Sequence, residues 1–203
     1  MNGILCFGDS ITFGVGEIPK EGWTGRLKRY HEPKGGHHAV FNLGIPGDTS
    51  SDLLKRFDIE CKARVKFRRS SDRFAIIIAI GTNDCKWEGL PENNRPRTKE
   101  KVFEKNITKL IKKAKKYKTP LNFMGLPPVD ETYTLPFENT SFTNERVKLF
   151  DSIIKKVCKK HNVKFLDVYG KMIKRKYQKL LEDGLHPNSK GYDLMFKIIK
   201  NKK

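Results

Sequence analysis

Four short polar segments of this 203-residue chain carry residue types suited to nucleophilic chemistry. They are Gly8-Asp9-Ser10, then Asn42-Leu43-Gly44-Ile45-Pro46-Gly47-Asp48-Thr49, then Gly81-Thr82-Asn83-Asp84, and finally Asp183-Gly184-Leu185-His186-Pro187. A serine hydroxyl attacks well only if a base removes its proton as it does so, and a histidine steadied by a carboxylate can be that base. Ser10, His186 and Asp183 are residues of those types. Each segment also has an ordinary reading. Asp183-Gly184 is a common turn pair, His186-Pro187 can open a helix, Asn83-Asp84 can cap one, and Gly44 and Gly47 can be loop glycines. One segment alone decides nothing.

The elements around the segments give them a common address. Five apolar runs read as strands: 4–7, 39–43, 74–80, 121–124 and 163–168. The run 74–80 is continuous rather than alternating, as in a central strand covered on both faces. Phe103, Ile107, Leu110, Ile111 and Ala114 recur at helical spacing, as do Phe150, Ile153, Ile154, Val157 and Cys158. Tyr192, Met195, Phe196 and Ile199 predict a final amphipathic helix. Alternating strands and helices imply an α/β fold with a parallel sheet between helical layers. The first three segments then follow strand C-termini, the edge where open α/β sheets collect ligands. Two long loops, 86–97 and 125–143, belong on that edge too, and loops of such length are commonly functional. With no repeat or linker, 1–203 reads as one domain with a sizeable core.

Composition narrows the classes. Lys+Arg of 42 against Asp+Glu of 23 gives a formal charge of +19, which would suit an anionic partner and a non-catalytic binding role. Most of these lysines fall on the polar faces of amphipathic helices, however. The tightest cluster, Lys62 to Arg73, lacks the interleaved aromatics of RNA-recognition modules, so nucleic acid is not the expected partner. No apolar stretch is long enough to span a membrane, and Asp9 and Ser10 interrupt the apolar start before a signal peptide can form. A cytoplasmic location is expected. The four cysteines are scattered, with no C-x-x-C pair, which argues against a disulfide framework or metal site. Cys6 and Cys158 read as core, and Cys85 has no visible activator.

In order and content the four segments resemble the signature blocks of the GDSL esterase/lipase family, also called SGNH hydrolases. The resemblance runs from Gly8 to Pro187 and implies a flavodoxin-like, three-layer α/β/α sandwich around a five-stranded parallel sheet. It also implies a serine esterase with Ser10 as nucleophile, His186 as general base and Asp183 as the acceptor of the histidine Nδ1–H. The order Ser…Asp…His is that of α/β-hydrolases, but their Gly-x-Ser-x-Gly elbow is absent. For the oxyanion, the resemblance implies three donors: the backbone N–H groups of Ser10 and Gly44 and the side-chain amide of Asn83.

Asp9 is expected to orient the Ser10 turn. Asp9, Thr82, Trp87, Pro127 and Leu185 are substrate-contact candidates by position, with Trp87 and Phe142 hinting at an apolar wall. The partner is then a small-molecule ester, with no metal or organic cofactor. Transfer of the acyl group to another hydroxyl, or deacetylation of a carbohydrate, would use the same residues. A flavin-binding electron carrier could use the loop after strand one but leaves Asn83, Asp183 and His186 without a role. His31, His37, His38 and His161 lie outside the blocks and carry no expected function. Nothing in the sequence selects an acyl group or an oligomeric state.

Overall fold

Leu5 and Phe7 point to one side of the first strand and Cys6 to the other, and each side is a separate apolar cluster. The central strand repeats the pattern, with Ile76 and Ile78 in the first cluster and Ile77 in the second. A sheet apolar on both faces has to be covered twice, and helices do so.

The computed structural model describes residues 1–34 and 37–200. In chain order the elements are β1 (Asn2–Gly8), α1 (Ser10–Phe13), α2 (Gly22–His31), β2 (His38–Gly44) and α3 (Ser50–Arg64). There follow β3 (Arg73–Ala79), β4 (Trp87–Glu88), α4 (Glu100–Lys115), β5 (Leu121–Met124), α5 (Glu131–Thr134) and β6 (Thr140–Ser141). The chain continues through α6 (Asn144–Lys160), β7 (Lys164–Leu166), α7 (Tyr169–Ile173) and α8 (Ser189–Lys200). The main sheet runs β2-β1-β3-β5-β7 with every neighbouring pair parallel. That is the flavodoxin-like order, with helices on both faces.

One face buries Phe57, Phe103, Ile107 and Phe150 from α3, α4 and α6. The other buries Trp23 and Leu27 from α2 against Tyr192, Met195 and Ile199 from α8. Thr49 starts α3 with a capping box, its side chain accepting from Asp52 N–H while the Asp52 carboxylate accepts from Thr49 N–H. Among the described residues no helix is long and apolar enough to cross a membrane.

Two features depart from the sequence reading. The run 163–168 yields a strand of three residues only, because Asp167 accepts from Gly170 N–H at 2.7 Å and turns the chain into α7. The two long loops are also not independent. β4 from the first pairs antiparallel with β6 from the second, Trp87 opposite Ser141 and Glu88 opposite Thr140.

Candidate active site

Only a glycine fits at Gly8, the last residue of β1. A Cβ would come within 2.0 Å of Thr12 Oγ1 and 2.3 Å of the Ala79 carbonyl oxygen. Asp9 follows as the N-cap of α1, its Oδ1 accepting from Ile11 N–H at 3.0 Å. Ser10 is thus the first residue of a short helix, and its N–H has no hydrogen-bond partner among the described residues.

The segment from Asp183 to His186 forms the facing wall. Asp183 Oδ1 accepts from the backbone N–H of Leu185 at 3.0 Å and of His186 at 2.7 Å, an Asx turn that fixes the carboxylate. Its Oδ2 lies 2.7 Å from His186 Nδ1, and His186 Nε2 lies 3.0 Å from Ser10 Oγ. An ionised carboxylate only accepts, so Nδ1 carries the proton and Nε2 presents a lone pair to the serine. Partial burial on its own would raise the Asp183 carboxyl, but the hydrogen bonds from His186 outweigh it and hold the group at about 2. The segment is pinned by Glu182 N–H to the His186 carbonyl at 2.8 Å and by Asp130 N–H to the Gly184 carbonyl at 2.8 Å.

Asn83 is brought toward the loop after β2, where its Nδ2 donates to the Asp48 carbonyl at 3.0 Å and keeps a second N–H. Gly44 is placed differently from expectation. Its N–H is donated to Asn42 Oδ1 at 3.0 Å, so it is not available to an oxyanion. A Cβ on Gly44 would fall 2.3 Å from Phe13 N, so the glycine serves the close packing of β2 on α1. Asn42 completes that joint by donating Nδ2 to the Phe13 carbonyl at 3.1 Å and to Thr24 Oγ1 at 2.9 Å. Three residues on, Gly47 is exposed with φ +84°, and its N–H has no partner among the described residues.

The pocket candidates are mostly structural in placement. Pro127 is buried, Leu185 (5% exposed) belongs to the core, and so does Phe142. Thr82 is likewise buried. Trp87 lies under the Arg146 guanidinium, 4.5 Å from its ring centroid, rather than forming a free wall. Asp9 is 1% exposed and its Oδ2 has no partner among the described residues; burial pushes its carboxyl up to about 7, against the hydrogen bond from Ile11. Cys85 is buried, its thiol pushed well up by that burial.

Sequence reasoning missed the polar ties behind these groups. Asp84 accepts from Ser50 N–H and Ser50 Oγ at 2.7 Å each, and Asn106 Nδ2 donates to Ser50 Oγ at 3.0 Å. These bonds join the third block to the start of α3. Arg26, 9% exposed, bonds Glu17, Ser189 and Asp193, linking the loop after α1 to α8. Arg56 of α3 bonds both Asp48 and the Gly8 carbonyl. Its one sequence signal is position, since it falls beside the buried stripe Ser50, Leu53, Phe57 and Cys61.

An α/β/α sandwich with a serine, histidine and carboxylate in hydrogen-bonded series at the sheet's C-terminal edge defines a class of hydrolase-like sites. The chain belongs to the GDSL-like Lipase/Acylhydrolase family, whose model matches residues 6–194. A curated relative, an acetylxylan esterase of Xylanibacter ruminicola, is 25% identical over 208 residues, covering 97% of this chain and 42% of that protein. The chain therefore spans less than half the length of that relative. A lipase/acylhydrolase from Enterococcus faecalis superposes with TM-score 0.74 at 26% identity, covering 98% of this chain and 93% of that one. An acetylxylan esterase from Geobacillus stearothermophilus shares the fold, with TM-score 0.72, 20% identity and coverage of 97% and 91%.

Proposed function

We propose that this chain is a serine esterase that releases short acyl groups, with acetylated carbohydrate as its substrate class. The observation that carries the chemistry is the continuous series Ser10 Oγ, His186 Nε2, His186 Nδ1, Asp183 Oδ2, with separations of 3.0 and 2.7 Å. Ser10 Oγ attacks the ester carbonyl carbon while His186 Nε2 takes its proton. Asp183 steadies the resulting imidazolium. The tetrahedral oxygen is met by the free N–H of Ser10 and the second N–H of Asn83, and by the N–H of Gly47 in place of Gly44. Gly47 suits that role because its N–H is unpaired and it adjoins Asp48, whose carbonyl holds Asn83. His186 then gives its proton to the leaving alkoxide. Water repeats the sequence on the acyl-serine, assisted again by His186. The choice of acetylated sugars rests on the Xylanibacter relative.

The test uses short-chain nitrophenyl esters, acetylated xylo-oligosaccharides and a fluorophosphonate probe, applied to the parent and to Ser10→Ala. The parent is expected to turn over the esters, release acetate from the oligosaccharides and take up the probe at Ser10, while Ser10→Ala does none of these. Undiminished labelling of Ser10→Ala refutes the nucleophile. Turnover of nitrophenyl esters without acetate release from the sugars refutes the substrate class alone.

A further inference from the structure

Arg56 touches two of the four blocks directly and a third at one remove. Its Nε donates to Asp48 Oδ2 at 2.8 Å, and its Nη2 lies 2.8 Å from the same carboxylate and donates to the Gly8 carbonyl at 3.0 Å. The Gly8 carbonyl also accepts from Ile45 N–H at 3.1 Å. Asp48 in turn offers its backbone carbonyl to Asn83 at 3.0 Å. One guanidinium therefore fixes the end of β1 two residues before Ser10, the loop carrying Gly47, and through Asp48 the amide of Asn83. Arg56 and Asp48 are 15% and 13% exposed, so the pair is shielded from solvent. Nη1 is buried without a partner among the described residues, which makes this an expensive place for a charge. A hydrophobic residue would fill the space at less cost in desolvation. The guanidinium's planar fork does what neither an apolar group nor a single ammonium can, holding two separate chain segments at fixed angles.

We infer that Arg56 is a positioning residue for the oxyanion site, setting the spacing of the Ser10, Gly47 and Asn83 donors without touching substrate. The inference rests on the proposed serine-esterase reading. Its physical basis is that preorganised donors lose effect steeply when displaced, and an error near 1 Å costs about a hundredfold.

Arg56→Lys keeps the charge and most of the stem but cannot serve both segments. Asp48→Asn leaves the Asp48 backbone in place, weakens the ion pair, and stands in if the lysine variant fails to fold. Burst amplitude with a nitrophenyl ester counts competent sites, so each rate is taken per titrated site. The expected result for Arg56→Lys is a kcat lowered about 10- to 100-fold. KM should change by less than about twofold, fluorophosphonate labelling should slow in parallel, and the pH midpoint of kcat should stay put because the histidine relay is untouched. Asp48→Asn should show the same split at about 3- to 10-fold. A merely structural role would reduce the number of competent sites and leave each at full rate. Parent-like kcat per site in either folded variant overturns the inference, as does a raised KM at constant kcat. A parent that takes up no probe at Ser10 refutes the site reading and this inference with it; a labelled parent with unaffected variants refutes the inference alone.

Discussion

Replacing Asp183 by Asn alters one atom of the relay and leaves volume unchanged. The asparagine oxygen can still accept from the N–H groups of Leu185 and His186, held at 3.0 and 2.7 Å in the parent, so the turn survives. Its Nδ2, however, replaces an acceptor 2.7 Å from His186 Nδ1. That forces Nδ1 to accept and moves the proton to Nε2, which faces Ser10 Oγ at 3.0 Å. A protonated Nε2 cannot act as base, so kcat should fall about 10⁴-fold with KM near the parent value. The stability cost is far smaller. The Asp183 carboxyl sits at about 2 against an ordinary 3.8, a difference of ~2.5 kcal/mol at ~1.4 kcal/mol per pH unit. Its side chain is 39% exposed, and solvent screening reduces the expected loss to about 1 kcal/mol. Because the folded-state pKa is depressed, this stabilisation is present above pH ~4 and lost as pH falls toward 2. Variant and parent curves should therefore separate at neutral pH and converge in acid. Nitrophenyl acetate turnover and urea melts at pH 7 and pH 3 measure both quantities. A folded Asp183→Asn protein with kcat within tenfold of the parent would show that another group orients the histidine.

Two further outcomes follow from the same geometry. Asn83→Ala should lower kcat about 10²–10³-fold at nearly constant KM, and a change confined to KM would remove Asn83 from the oxyanion site. Burial raises the Asp9 carboxyl to about 7, so the stability of the protonated form is complete below pH ~4 and is lost as pH rises through 7. Asp9→Asn does not titrate, so the stability of the variant relative to the parent should climb between pH 4 and pH 8 by up to about 4 kcal/mol. Parallel curves for the two proteins across that range would show that Asp9 does not titrate there.

Local chemistry explains which parts were legible in the sequence. The Asx turn that presents His186 is written within Asp183-Gly184-Leu185-His186, and the strand before Ser10 is an unbroken apolar run. The continuous run 74–80 marked the central strand because burial on both faces removes alternation. Gly44 ends β2 and Gly47 lies three residues on, and composition does not say which N–H is already taken; that depends on the Asn42 side chain folding back. Arg56 carries no signal beyond its place beside a buried stripe, because its partners, Gly8 and Asp48, lie in other segments. The stacking of Arg146, from α6, on Trp87 has no local sequence signal, because the two residues lie in separate elements. β4 and β6 hold two residues each, too few for any periodicity to register.

The hydrogen bond between Ser10 and His186 joins residues 176 positions apart. During synthesis the serine emerges first and waits for its base. At about 5–20 residues per second the interval is roughly 10–35 s. β1 lies between β2 and β3, so the nucleophile's strand can be fully flanked once Ala79 has been made, long before the histidine exists. On the proposed mechanism, a chain ended before His186 has the serine without its base. Esterase competence on that mechanism waits until the segment carrying Asp183 and His186 docks against Ser10.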